Sequence, residues 1–184
     1  LKIDAILLEM EPKWQEAIEN ISFDNSKIFI KNIRKEKWLH KSGVIGKEHI
    51  RFFDHFLKQG GEIIAIKKDY KNWNLADRET AKNIIKFHRK YPHKKLMVVM
   101  GNFHARKKPF ILNGKKFIPL GSVLSKNSLS VLIRYSGGGI YNFGKIKLAS
   151  SKFSKSRINK LRISTDPYFD HEYVVGRTRP IHLL

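Results

Sequence analysis

The chain has 184 residues, enough for one domain or one domain with a modest appendage, and 41% of them are hydrophobic, which supplies a core and excludes global disorder. With no cysteine, it has no disulfide framework, thiolate zinc site or cysteine nucleophile. Its 37 basic and 16 acidic residues give a net charge of +21, which favours encounters with nucleic acid, an anionic membrane or acidic protein surfaces, although most lysines are scattered and a lysine-rich proteome produces the same count.

Ile3 to Leu8 is a short, nearly continuous apolar run, the form of a strand buried on both faces of a parallel sheet. It stops at Glu9, and Pro12 opens a helix predicted to reach Ile21, with Trp14, Ala17, Ile18 and Ile21 as its core stripe. Residues 22–45 are less regular. A second helix is expected over Lys47–Gln59, with Ile50, Phe53, Phe56 and Leu57 on its apolar face and Gly60-Gly61 as its stop. Glu62 to Ile66 reads as the next strand, ending at Lys67-Lys68-Asp69. Asp77 to Tyr91 reads as a third helix terminated by Pro92, and Leu96 to Met100 as another buried strand running into Gly101.

Strands separated by helices predict βαβ units. The expectation is a single α/β domain over residues 1–184, mainly a parallel sheet flanked by helices. Further on, Phe117 to Leu124 carries a Pro-Leu-Gly turn into a short helix, Ser128 to Tyr135 is a strand, Gly137-Gly138-Gly139 a sharp loop, and Tyr168 to Gly176 the final strand. Lys145 to Arg162 has no acidic residue and reads as a basic, exposed excursion. No apolar run approaches the ~20 residues that span a bilayer. No signal peptide is visible, but the chain opens at Leu1-Lys2-Ile3 without an initiator Met, so processing or truncation of an earlier segment stays open.

In open parallel sheets ligands gather beyond the carboxyl ends of the strands. Three such ends carry polar groups here: Glu9, Asp69 and the turn Gly101-Asn102-Phe103-His104. The helix start Asp77-Arg78-Glu79 can face the same rim. Glycine at 101 permits close backbone approach to a ligand, and His104 can project back over the strand end. Carboxylates with an imidazole bind a divalent metal or activate water, and Arg78 can hold an anionic group. Each residue also has an ordinary explanation: Glu9 and Asp77 as helix-terminal carboxylates, Arg78 as surface charge, His104 as a structural histidine. His49 and His55 are six apart and share no helical face, and the adjacent residues Asp170-His171-Glu172 point to opposite faces of a strand.

Four segments in order carry a resemblance: Leu7-Leu8-Glu9-Met10; Asp77-Arg78-Glu79-Thr80-Ala81-Lys82-Asn83-Ile84; Gly101-Asn102-Phe103-His104-Ala105; and Pro119-Leu120-Gly121-Ser122-Val123-Leu124. Over about residues 3–135 the chain resembles the superfamily that unites erythromycin esterases, ChaN-type haem-uptake lipoproteins and TraB/Tiki proteins. The resemblance implies an α/β fold with its pocket at the strand ends, centred on Glu9 and His104, with Arg78 and Glu79 as pocket partners. It also implies metal-dependent proteolysis, hydrolysis through activated water, or haem binding, and likeness at this level does not choose among them. A further Gly-Glu-x-His-like motif usual on a preceding strand is not in this sequence. Either that first strand is missing from it or the catalytic set is degenerate.

Three functions therefore compete. The first is a hydrolase of an ester or amide bond in a small-molecule or peptide substrate. In it Glu9, His104 and Arg78 are catalytic, Glu9 and His104 hold any divalent metal, and Asp69, Glu79, Gly101 and Asn102 contact the ligand. The second is a noncatalytic binding module with haem as the candidate ligand and His104 or a tyrosine on the iron. The third is a module of a larger toxin or effector, drawn to anionic membrane or nucleic acid by its charge.

Overall fold

The computed structural model describes residues 2–22, 31, 47–67, 72–142, 145–148 and 159–178. The protein is mixed α/β, with small sheets of both kinds rather than one dominant parallel sheet. The chain divides into two compact units, one of Leu1–Gln15, Gly61–Leu132 and Leu161–Glu172, the other of Glu16–Gly60, Ile133–Lys160 and Tyr173–Leu184. Among the described residues no helix is long and apolar enough to cross a membrane.

The first unit is built on a three-stranded parallel sheet of order β2-β1-β3, comprising β1 (Ala5–Leu8), β2 (Glu62–Ala65) and β3 (Leu96–Val99). The central strand is buried at all four positions, which explains its unbroken Ala-Ile-Leu-Leu sequence. Register is level across the sheet, Leu8 pairing with Ala65 on one side and Val99 on the other. β3 is only half-buried, and Val99 is exposed; the expectation of a fully buried third strand was too strong, because an apolar run alone does not reveal a sheet edge. At the edge of β2 the Gln15 amide donates to Ile63 O (2.9 Å) and accepts from Ala65 N (2.8 Å), which satisfies two strand groups.

The short helix α1 (Gln15–Glu19) follows a 3-10 turn at Pro12–Trp14. Helix α2 spans Lys47–Lys58 and α3 spans Trp73–Lys90. α3 therefore begins four residues before the expected Asp77. Asn72 is its cap, accepting from Leu75 N at 3.2 Å. Ala81 and Ile84 of α3 pack with Ala5, Leu7, Ile66 and Leu120 in one buried cluster. Basic residues His88, Arg89 and Lys90 fill its last turn, where the helix dipole favours them.

After β3 the chain turns at Gly101 and enters a hairpin of β4 (Phe110–Leu112) and β5 (Lys115–Phe117). Its two loop residues, Asn113 and Gly114, both have positive φ (49° and 72°), the geometry of a two-residue primed turn. The one-turn helix α4 (Leu120–Val123) follows. A Cβ on its Gly121 would lie 2.4 Å from Ala105 O and 2.6 Å from Arg106 O, so only glycine fits.

The remaining strands are β6 (Val131–Asn142), β7 (Lys145–Leu148), β8 (Leu161–Ile163) and β9 (His171–Thr178), in the sheet order β7-β6-β9-β8. β6 runs straight through Gly137-Gly138-Gly139, and Gly139–Asn142 pairs antiparallel with β7. The expected glycine loop is thus strand: ladder hydrogen bonds override glycine's weak preference. Both ends of the expected basic excursion are strand as well, and its middle, residues 149–158, lies outside the described residues. In the second unit the α2 stripe buries Ile50 and Phe53.

Candidate functional site

Each strand of the parallel sheet delivers one polar group to the same edge. Glu9 follows β1, Lys67 lies just beyond β2, and Gly101 and His104 follow β3. The Glu9 carboxylate is held at both oxygens: Oε2 accepts from Gly101 N–H at 3.0 Å and Oε1 from Lys67 Nζ at 3.1 Å. The Gly101 turn is closed by its own carbonyl, which accepts from His104 N and Ala105 N. Gly121 N donates to His104 O at 2.8 Å, so α4 braces the histidine backbone.

The imidazole then spans two carboxylates. Its Nδ1 lies 2.7 Å from Asp77 Oδ1, and its Nε2 faces Glu9 Oε1 at 3.8 Å. Asp77 is buried, and its second oxygen accepts from Leu120 N at 3.0 Å. An ionised carboxylate at Nδ1 places the proton there in the neutral ring and leaves Nε2 as the reactive atom. Burial pulls the His104 pKa down. The hydrogen bond and charge of Asp77, with the charge of Glu9, outweigh burial and the opposing Lys67, so the net direction is upward from the ordinary value.

One wall beside the imidazole is aromatic. Trp73 lies 5.6 Å from His104 and 5.3 Å from Phe117, between ring centres. Phe103, Phe110 and Phe117 continue the row, and with Trp73, Pro119, Asp77 and His104 they line a small, open hollow.

Of the residues singled out from sequence, Glu9, Gly101 and His104 come together. Asn102 is exposed at the turn. Arg78 and Glu79 do not line the hollow: the Arg78 side chain is 62% exposed, and Glu79 Oε1 meets Lys82 Nζ at 2.7 Å and Arg78 Nε at 3.7 Å. Asp69 lies outside the described residues. Sequence reasoning did not single out Asp77 as the histidine's partner, Lys67, or the Trp73 wall. The spacing 77, 80, 81, 84 was the available signal, since it puts Asp77 at the head of the buried stripe of α3.

The donor set does not by itself fit a resident metal. Asp77 spends both oxygens on His104 and Leu120, and the Lys67 ammonium already occupies Glu9 Oε1. Among the described residues no three His, Asp or Glu side chains group as ligands. Family models, characterised proteins and solved structures were compared with the chain, and none matches.

Proposed function

We propose that this chain is a hydrolase of an ester or amide bond, in which the Asp77–His104 pair activates water beside Glu9. The observation that carries the reading is an imidazole fixed at Nδ1 by a buried carboxylate while Nε2 faces a second carboxylate at the strand ends. A water seated to one side of the Nε2 and Glu9 Oε1 pair, within hydrogen-bond reach of both, has two acceptors to polarise it. Nε2 takes one proton as the water oxygen bonds to the carbonyl carbon, and Asp77 stabilises the imidazolium. The imidazolium then returns the proton to the leaving oxygen or nitrogen as its bond to carbon breaks. Lys67 supplies positive charge near the developing oxyanion. The resemblance to the erythromycin esterase, ChaN and TraB/Tiki group supports the same centre, and Arg78 and Glu79 have no role in this reading.

His104→Ala tests it, assayed on small-molecule esters and short peptides with thermal unfolding as the folding control. Loss of a positioned base lowers turnover about 10²–10⁴-fold. Unchanged turnover in a folded variant refutes the proposal.

A further inference from the structure

We infer that the exposed aromatic wall beside His104 favours substrates whose acyl group carries a flat aromatic ring, and that Trp73 sets this preference. The inference rests on the hydrolase reading for its chemistry and on the wall for its specificity. Trp73 precedes Asp77 by four residues on α3, so one helical face presents both the imidazole's carboxylate partner and the ring beside it. From Trp73 the rings run in a row: Phe117 at 5.3 Å, Phe110 stacked on Phe117 at 5.5 Å, and Phe103 stacked on Phe110 at 5.7 Å. The Arg106 guanidinium lies 4.3 Å from the Phe110 ring centre and 5.2 Å from that of Phe103, which stiffens the row.

Two further observations narrow the ligand. Trp73 is 47% exposed and Phe103 is 39% exposed, so apolar surface at the mouth is available for burial on binding. The acid lining the hollow, Asp77, already has a partner at each oxygen, so a polar acyl group entering the hollow loses water without gaining that carboxylate.

The test compares methyl benzoate with methyl butyrate as substrates of the full chain, by proton release, in the wild type, Trp73→Ala and Trp73→Phe. Benzyl alcohol binding is followed in parallel through the NMR signals of the Trp73 indole and His104. The expected kcat/KM ratio favours benzoate by about 10-fold, the size of one or two aromatic contacts. It collapses in Trp73→Ala and is largely kept in Trp73→Phe. Hydrolysis with no aromatic preference, or a preference that survives Trp73→Ala, overturns the inference and leaves the hydrolase reading standing. If no ester is cleaved but benzyl alcohol shifts both signals, the aromatic subsite stands and the hydrolase reading fails. Neither cleavage nor binding overturns both.

Discussion

Replacing Asp77 with Asn keeps the shape of the side chain and removes its charge. In the native site Asp77 accepts twice, from His104 Nδ1 at 2.7 Å and from Leu120 N at 3.0 Å. Asparagine has one accepting oxygen, so it can serve only one of these. Because the Leu120 N–H cannot reverse, the oxygen is expected to stay there and the amide NH₂ to face His104. That forces the neutral ring to accept at Nδ1 and carry its proton on Nε2, the atom that must take a proton from water. A tautomer switch of this kind lowers turnover by up to about 10⁴-fold in a histidine-based hydrolase. The lost charge-assisted hydrogen bond costs about 1.5–3 kcal/mol, or roughly 3–12 °C in Tm at this chain length. The stability loss depends on pH in a defined direction. His104 titrates above its ordinary value in the folded protein, so its protonation stabilises fully below the unfolded value of about 6.5 and the effect fades as pH rises through the folded pKa. The difference between wild type and Asp77→Asn is therefore largest in acid. Urea unfolding between about pH 4.5 and 8.5, two units either side of about 6.5, measures it, and an NMR titration of the His104 ring reads the pKa directly. A variant whose His104 titrates as high as in the wild type refutes the assignment of Asp77 as the dominant partner.

Glu9→Gln removes a charge that raises the His104 pKa, so the acid limb of a kcat/KM profile moves to lower pH while the maximum rate falls; an unmoved limb means that Glu9 does not act on the imidazole. Gly121→Ala pushes a methyl against two backbone carbonyls and is expected to cost about 3 kcal/mol, whereas at Gly101 the new Cβ meets His104 Cδ2 at 3.7 Å and Glu9 Oε2 at 3.8 Å, ordinary contacts, and Gly101→Ala leaves Tm unchanged or slightly raised. Thermal unfolding of the two variants side by side checks this contrast. Burial pushes the Asp170 pKa up, but the Ser130 N–H and the Lys107 ammonium at 3.1 Å outweigh it and hold the pKa below the ordinary value. Its contribution is present above about pH 4 and lost as pH falls through the depressed pKa. Asp170→Asn should flatten the acid side of the stability profile, measured by urea unfolding.

The parallel sheet was legible because a strand flanked on both sides must be apolar throughout, and Ala5–Leu8 is. The hairpin at Asn113-Gly114 was also written in the sequence, as a dipeptide that tolerates positive φ at both positions, but it went unread. Gly137-Gly138-Gly139 misled for the opposite reason: glycine permits a loop without demanding one, and pairing decided. At the site, Glu9 and His104 were visible because a polar group directly after an apolar run marks a strand end. Lys67 comes two residues after β2 and was hidden by the surrounding lysines. Arg78 drew attention by its charge, yet the helix turns it outward, one position from the inward Asp77. The aromatic wall was invisible because its rings come from α3, the Gly101 turn and both strands of the hairpin, and no sequence period links them.

Parity along β1 explains why these residues can meet at all. Successive side chains on a strand alternate faces, so Ala5, Leu7 and Glu9 share one. Ala5 and Leu7 pack in the cluster that holds Ala81 and Ile84, so this face is the one covered by α3. Asp77 stands four residues, about one turn, before Ala81 on the same helical stripe. The alternation that buries Leu7 under the helix therefore carries Glu9, two residues later, toward the helix end where Asp77 holds His104. Level register completes the arrangement: Leu8 lies opposite both Ala65 and Val99, so β2 and β3 run out beside Glu9 and release Lys67 and Gly101 one residue past its level. A slip of one residue in β1 would turn Glu9 to the other face and leave Leu8 at the rim. The site is thus a consequence of the packing that makes the core, which is why Glu9, Lys67, Asp77 and His104 converge although 95 positions separate the first from the last.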